Sequence, residues 1–213
     1  MGRDYNPDIR KNNPLYLVRQ AQELLNISQS HNNASSLIYA CLDLRIALEI
    51  LDLHTILTSV GNDDRILLIE DSKPKNGIDK IGRKRGVLKE RYQLFFQAIC
   101  EVVGVEGKSF DFKNSKDLQY HLSSYIHSYY MTDDDLKYDS LIMQSAREVI
   151  NRVITFIKNS LNYTQTSGYV VGLEISTLPE EDKLLLDEWK NTPNMDYEYL
   201  KSKIAENVKN RDK

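Results

Sequence analysis

The sequence predicts an all-α protein, an antiparallel helical bundle with a small C-terminal strand-plus-helix extension. Three observations carry that prediction. Apolar residues recur at helical spacing through five long segments. Polar links rich in Asn, Ser, Asp and Gly separate them. One run only, "YVVGLEIS" at residues 169–176, reads convincingly as a strand. Long helices on short links favour helix-on-helix layers over a sheet.

The first helix is expected over Pro14–Ser30, because Asn13 can cap it and Pro14 suits the first helical position. Leu17, Ala21, Leu24 and Leu25 make its apolar stripe. "SHNNASS" then offers the backbone local hydrogen bonds and ends the pattern. The second helix, Ala34–Leu57, is the most apolar. Leu37, Cys41, Leu44, Leu48 and Leu51 repeat at helical spacing, and Ala40, Ile46, Ala47, Ile50 and Leu53 cover most of the remaining surface. A helix apolar nearly all round is expected to be central and packed on several sides.

Residues 60–86 are less regular. A third helix over Val87–Val103 carries Leu88, Tyr92, Phe95, Ile99 and Val102. A fourth is expected over Ser115–Met131, with Ser115 as its cap. A fifth, Asp139–Leu161, has Ile142, Ala146, Val149, Val153 and Phe156 on one face. After Asn162 the chain changes character. The lone strand needs a partner, in a copy of itself or in another protein. "TLPEEDKLLLDEWK" follows, with Thr177 and Glu180 at capping-box spacing, and a last short helix ends the chain. The expected division is a bundle over residues 1–162, with 1–12 flexible, and an extension over 163–213. That extension is too small for a core of its own, so it should dock on the bundle or on a protein partner.

Composition sets the outer bounds. Apolar content of 41% is enough for a real core, and a formal net charge of −3 gives no bulk attraction to polyanions. No apolar run is long enough to span a bilayer, and "MGRDYNPDIRKNNP" has no apolar signal core. Cys41 and Cys100 lie inside apolar patterns with no Cys or His at ligand spacing, so buried reduced thiols are expected. These features predict a cytoplasmic protein with no membrane association, no cofactor and no metal.

Three groups of residues have chemical potential. Arg45 and Glu49 stand one turn apart on the most apolar helix. Such charges must be bonded to each other, as a register-fixing ion pair, or must line a cleft. "YHLSSYIHSYYM" places Ser123, His127 and Tyr130 on one helical face, a stripe suited to proton transfer or phosphate contact. A hydrogen-bonded His at a packing seam is the alternative. Residues 73–91 hold eight basic side chains against two acidic, a local net of +6. Lys80, Arg83, Lys84, Arg85, Lys89 and Arg91 are the candidate phosphate contacts, and a solvated loop is the alternative. "TDDDLKYD" supplies four aspartates but lacks the rest of a Ca²⁺ loop pattern.

"SSLIYACLDLRIALEIL", the long helix that follows and "YHLSSYIHSYY" together resemble HEPN-like proteins, prokaryotic helical bundles of toxin–antitoxin and antiviral defence systems. The resemblance covers roughly Pro14–Leu161. It implies a homodimer and, in active members, a metal-independent ribonuclease with an Arg-x4-6-His motif. In such a motif Arg stabilises charge developing on phosphate and His moves a proton. This chain departs from it: eight residues separate Arg45 from His54, and no Arg stands four to six residues ahead of His121 or His127. The leading expectation is therefore an RNA- or protein-binding HEPN-like component with a degenerate nuclease site. The alternatives are an endoribonuclease using Arg45 and His127, with Glu49 and Tyr130 beside them, and a structural subunit docking on a larger effector.

Overall fold

The computed structural model describes residues 13–58, 62–73, 86–108, 110–161, 169–170, 178–192 and 194–211. They are mostly helical: α1 (Pro14–His31), α2 (Ala34–Thr58), α3 (Asn62–Ser72), α4 (Gly86–Val103), α5 (Phe112–Ile126), α6 (Leu141–Leu161), α7 (Glu180–Asn191) and α8 (Tyr197–Arg211). Two short strands, β1 (Glu106–Gly107) and β2 (Tyr169–Val170), complete them. No helix among the described residues is long and apolar enough to cross a membrane. The all-α bundle read from periodicity is the observed class. The expected flexible residues 1–12 and the Thr177 cap lie outside the described residues.

The chain forms two compact units. One is Met1–Asp52 with Asp111–Leu161; the other is Leu53–Phe110 with Asn162–Lys213.

In the first unit α6 packs on α1 and on α5. Asn13 caps α1 by accepting the Tyr16 amide at 3.2 Å, with Pro14 at the first helical position. The helix ends at Asn32 in the left-handed conformation, φ 49°, a shape Asn tolerates. Asn33 then caps α2, accepting the amides of Ser35 and Ser36. The α2 stripe is buried as its spacing demands: Leu37, Cys41, Leu44, Leu48 and Leu51 are all in the core. On α6 the buried face is turned by about one residue from the expected one. Ala146, Val149 and Val153 of the expected face are buried, joined by Met143, Ile150 and Ile157, while Ile142 and Phe156 are only half-buried.

The fourth expected helix needs two corrections. It begins at Phe112, capped by Asp111, which accepts the Asn114 amide at 2.9 Å. Ser115 is therefore one turn inside the helix and buried, where its hydroxyl donates to Asp52 at 2.7 Å. The helix also stops at Ile126; His127 is its cap, and Ser128–Tyr130 form a separate 3₁₀ turn. The α-helical register does not run from Ser123 to Tyr130, so the expected stripe is not formed as drawn.

In the second unit α4 is the centre, with α7 and α8 packed on it and on each other. Tyr92, Phe95 and Ala98 of α4 bury against Leu185, Leu186 and Trp189 of α7 and Leu200 and Ile204 of α8. The C-terminal helices thus share a core with α4. The first two residues of the strand-like run have their partner inside the chain: Tyr169 and Val170 pair in parallel with Glu106 and Gly107. Gly107 sits so close to Cys100 Sγ that a Cβ there would overlap the sulfur.

Arg91 and Trp189 fasten α4 to the end of α7. The Trp189 indole donates to the Arg91 carbonyl at 2.9 Å. The Arg91 guanidinium donates twice to the Thr192 carbonyl, at 3.1 and 2.7 Å, and lies 4.2 Å from the Trp189 ring centroid. Arg91→Ala removes both charge-assisted bonds and the cation–π contact, and should cost about 2–4 kcal/mol. Trp189→Phe keeps a ring but loses its donor, and should cost about 1–2 kcal/mol. Urea unfolding that shows both midpoints lowered, Arg91→Ala the more, is the expected result.

Candidate functional site

The Arg45–Glu49 pair is made on α2 itself. Arg45 Nε donates to Glu49 Oε1 at 3.2 Å. Both side chains are about one-third exposed, 34% and 38%. Tyr39, Leu42 and Ile46 on the same side of α2 are exposed as well. The helix is therefore not packed all round: one strip faces water, and the charges stand on it. Their presence in an apolar run needs no buried compensation.

The groups expected around Arg45 are engaged elsewhere or on the surface. His127 caps α5 through its backbone amide, which donates to the Ser123 carbonyl at 3.0 Å, and its side chain is exposed. The Tyr130 hydroxyl donates to the Ser124 carbonyl at 2.6 Å. His121 is exposed, edge-on to Tyr120. His54 is largely buried, and burial pulls its imidazole down to about 4, so the ring is neutral at pH 7.

The basic candidates divide. Lys80, Arg83, Lys84 and Arg85 lie outside the described residues, and so does the side chain of Lys89. Arg91 does not belong with them. Its guanidinium is buried and held by Thr192 and Trp189, so it is no phosphate contact. Sequence reading gave Arg91 the character of its neighbours in a charge run; the signal for its true role is Trp189, which supplies a stacking partner.

Reading by composition missed a buried polar triad in the first unit. Asp52, 7% exposed, accepts Ser115 Oγ at 2.7 Å and Gln119 Nε2 at 2.9 Å. Ser115 and Gln119 are one turn apart on α5, so a single helical face presents both donors to α2. The triad joins two helices and is closed to solvent.

An open groove of about 460 Å³ lies between α5 and α6. Asn114, Asn151, Arg152, Thr155 and Asn159 supply its polar lining, with Leu118 and Phe156 as its apolar part. Amides and a guanidinium can bind a polar or anionic group. None of the lining residues is a carboxylate, histidine or thiol. Among the described residues no three His, Cys, Asp or Glu side chains are grouped to hold a metal. No family model, curated protein or solved structure matches this chain.

Two measurements follow from these placements. Arg45→Ala breaks only an i,i+4 pair that is one-third exposed, so it should lower unfolding stability by about 1 kcal/mol or less. His54 has a second, pH-dependent signature. Its folded value lies below the ordinary 6.5, so the unfolded chain takes up the proton first as pH falls. Stability is full above about pH 6.5 and declines toward pH 4, by about 1–3 kcal/mol. The urea midpoint of His54→Gln, compared with wild type across that window, should show the smaller decline.

Proposed function

We propose that this chain is a HEPN-like binding component of a prokaryotic defence or toxin–antitoxin system, cytoplasmic and homodimeric, that binds RNA or protein and carries a degenerate nuclease site. The observation that supports binding over cleavage is the commitment of Arg45. Its guanidinium bonds Glu49 on its own helix, whereas phosphoryl chemistry needs it beside a histidine. A neutral, half-buried His54 and an exposed capping His127 fit the same reading.

The exposed strip of α2 supports the homodimer. An isologous interface must complement itself. Leu42 and Ile46 supply the apolar centre, and Arg45 and Glu49 put both signs of charge beside it. In RNA binding the working groups are Lys80, Arg83, Lys84, Arg85 and Lys89, with Arg91 removed from the set.

RNA incubated with the protein and a metal chelator should remain intact. Oligoribonucleotide binding should weaken steeply with salt, and Arg83→Ala with Lys84→Ala and Arg85→Ala should flatten that dependence. Sedimentation at micromolar concentration should give twice 24.7 kDa for wild type and the monomer for Ile46→Asp. Metal-independent cleavage that is lost in both Arg45→Ala and His127→Ala would instead establish the endoribonuclease. Intact RNA with no binding at low salt would leave a structural subunit.

A further inference from the structure

The connector between α5 and α6 carries exposed apolar side chains on an ordered, acidic frame. Tyr129 is 90% exposed, Leu141 82% and Tyr130 59%. The two tyrosine rings meet edge to face, with centroids 5.7 Å apart. All three side chains belong to the same end of the α5–α6 pair. The Tyr125 hydroxyl, bonded to Ser145 Oγ at 3.0 Å, holds the two helices together there.

The connector is rigidly built. The Thr132 amide and hydroxyl both donate to Asp135 Oδ2, at 2.9 and 2.8 Å, which holds that carboxyl below the usual range. Ser140 Oγ donates to the Asp135 carbonyl at 2.6 Å and accepts the Met143 amide at 3.1 Å. Arg147 donates to the Tyr138 carbonyl at 2.8 Å, with its guanidinium 4.4 Å from the Tyr138 ring centroid. A backbone held this way loses little entropy on binding, and exposed tyrosines are the usual anchors of protein interfaces.

The charge of the frame selects the partner. Residues 132–140 hold Asp133, Asp134, Asp135 and Asp139 against Lys137 alone, four negative charges to one positive, a local net of −3. Lys137 is paired with Asp134 at 2.6 Å, and Asp133 and Asp139 are exposed. A phosphate backbone would be repelled here; a lysine- or arginine-rich chain would be drawn in.

We propose that this end of the α5–α6 pair is a docking site for a cationic, apolar-studded segment of a partner protein. Tyr129, Tyr130 and Leu141 take its apolar side chains, and Asp133 and Asp139 take its ammonium or guanidinium groups. The proposal stands on the first unit alone and does not depend on the HEPN-like reading.

The test uses a short fluorescent peptide of alternating lysine and leucine, followed by anisotropy against the full chain. The peptide should bind, weaken with salt, and bind at least about tenfold less tightly to Tyr129→Ser with Leu141→Ser. Asp133→Asn with Asp139→Asn should weaken binding and flatten its salt dependence. These exposed substitutions should leave the thermal unfolding curve unchanged, so the loss reads out binding. Glu23→Gln with Asp117→Asn, two exposed acids elsewhere on this unit, should bind as wild type does. The proposal is overturned if the peptide fails to bind, if that control pair matters as much, or if a glutamate–leucine peptide binds equally. It also falls if Tyr129→Ser abolishes oligoribonucleotide binding, which makes the face an RNA surface. Dissociation of a dimer by Tyr129→Ser would make it an interface between copies.

Discussion

A charge that leaves water must be met by donors or acceptors fixed in the protein, and the helix packing within each unit follows that constraint. Asp52 is satisfied by two neutral donors, Ser115 and Gln119, which belong to one face of α5. Asp182, 3% exposed in the first turn of α7, is satisfied by Asn207 at 2.8 Å and Arg211 at 3.0 Å, both on α8. Arg91 of α4 is satisfied by a carbonyl just past the end of α7 and by an indole face within it. Each group fixes two helices in one rotation and one height. Apolar faces alone allow a helix to slide by a turn; a buried charge with geometric partners does not.

The apolar lattice was legible in the sequence, because 3.6-residue spacing reports directly on burial. Leu37, Cys41, Leu44, Leu48 and Leu51 could be named from spacing alone, and so could the Asn13–Pro14 start of α1. The α6 face shifted because both candidate stripes are apolar there, and periodicity cannot choose between Ile142 and Met143. Ser115 resembles a cap because serine favours caps; the actual cap, Asp111, stands one turn earlier between two aromatic residues, Phe110 and Phe112. The early end of α5 was hidden because "IHSYY" contains neither glycine nor proline. Polar partnerships across long sequence separations were not legible at all. Asp52 with Ser115, and Arg91 with Thr192, depend on which helices meet, and no local pattern encodes that.

The same difference decides how Arg45 is understood. From sequence it stood in the most apolar run, so it demanded a special partner. In the folded chain the apolar residues Tyr39, Leu42 and Ile46 are themselves at the surface, and Arg45 is merely beside them. What needs explaining is therefore the exposed apolar strip, not the ion pair on it.

The titratable groups with large shifts are held in one protonation state. General acid–base catalysis needs a group whose pKa lies near the working pH. Here the large displacements lead away from neutrality. Burial lifts the Cys41 thiol to about 12 and pulls His54 down to about 4. Tyr197 is lifted to about 12 by burial and by its bond to Glu101, and Lys201 is raised by bonding the same carboxylate. Each environment favours the form that the free side chain already holds at pH 7. The faces the helices leave open, the α2 strip and the Tyr129–Leu141 end, carry exposed apolar side chains and none of these shifted groups.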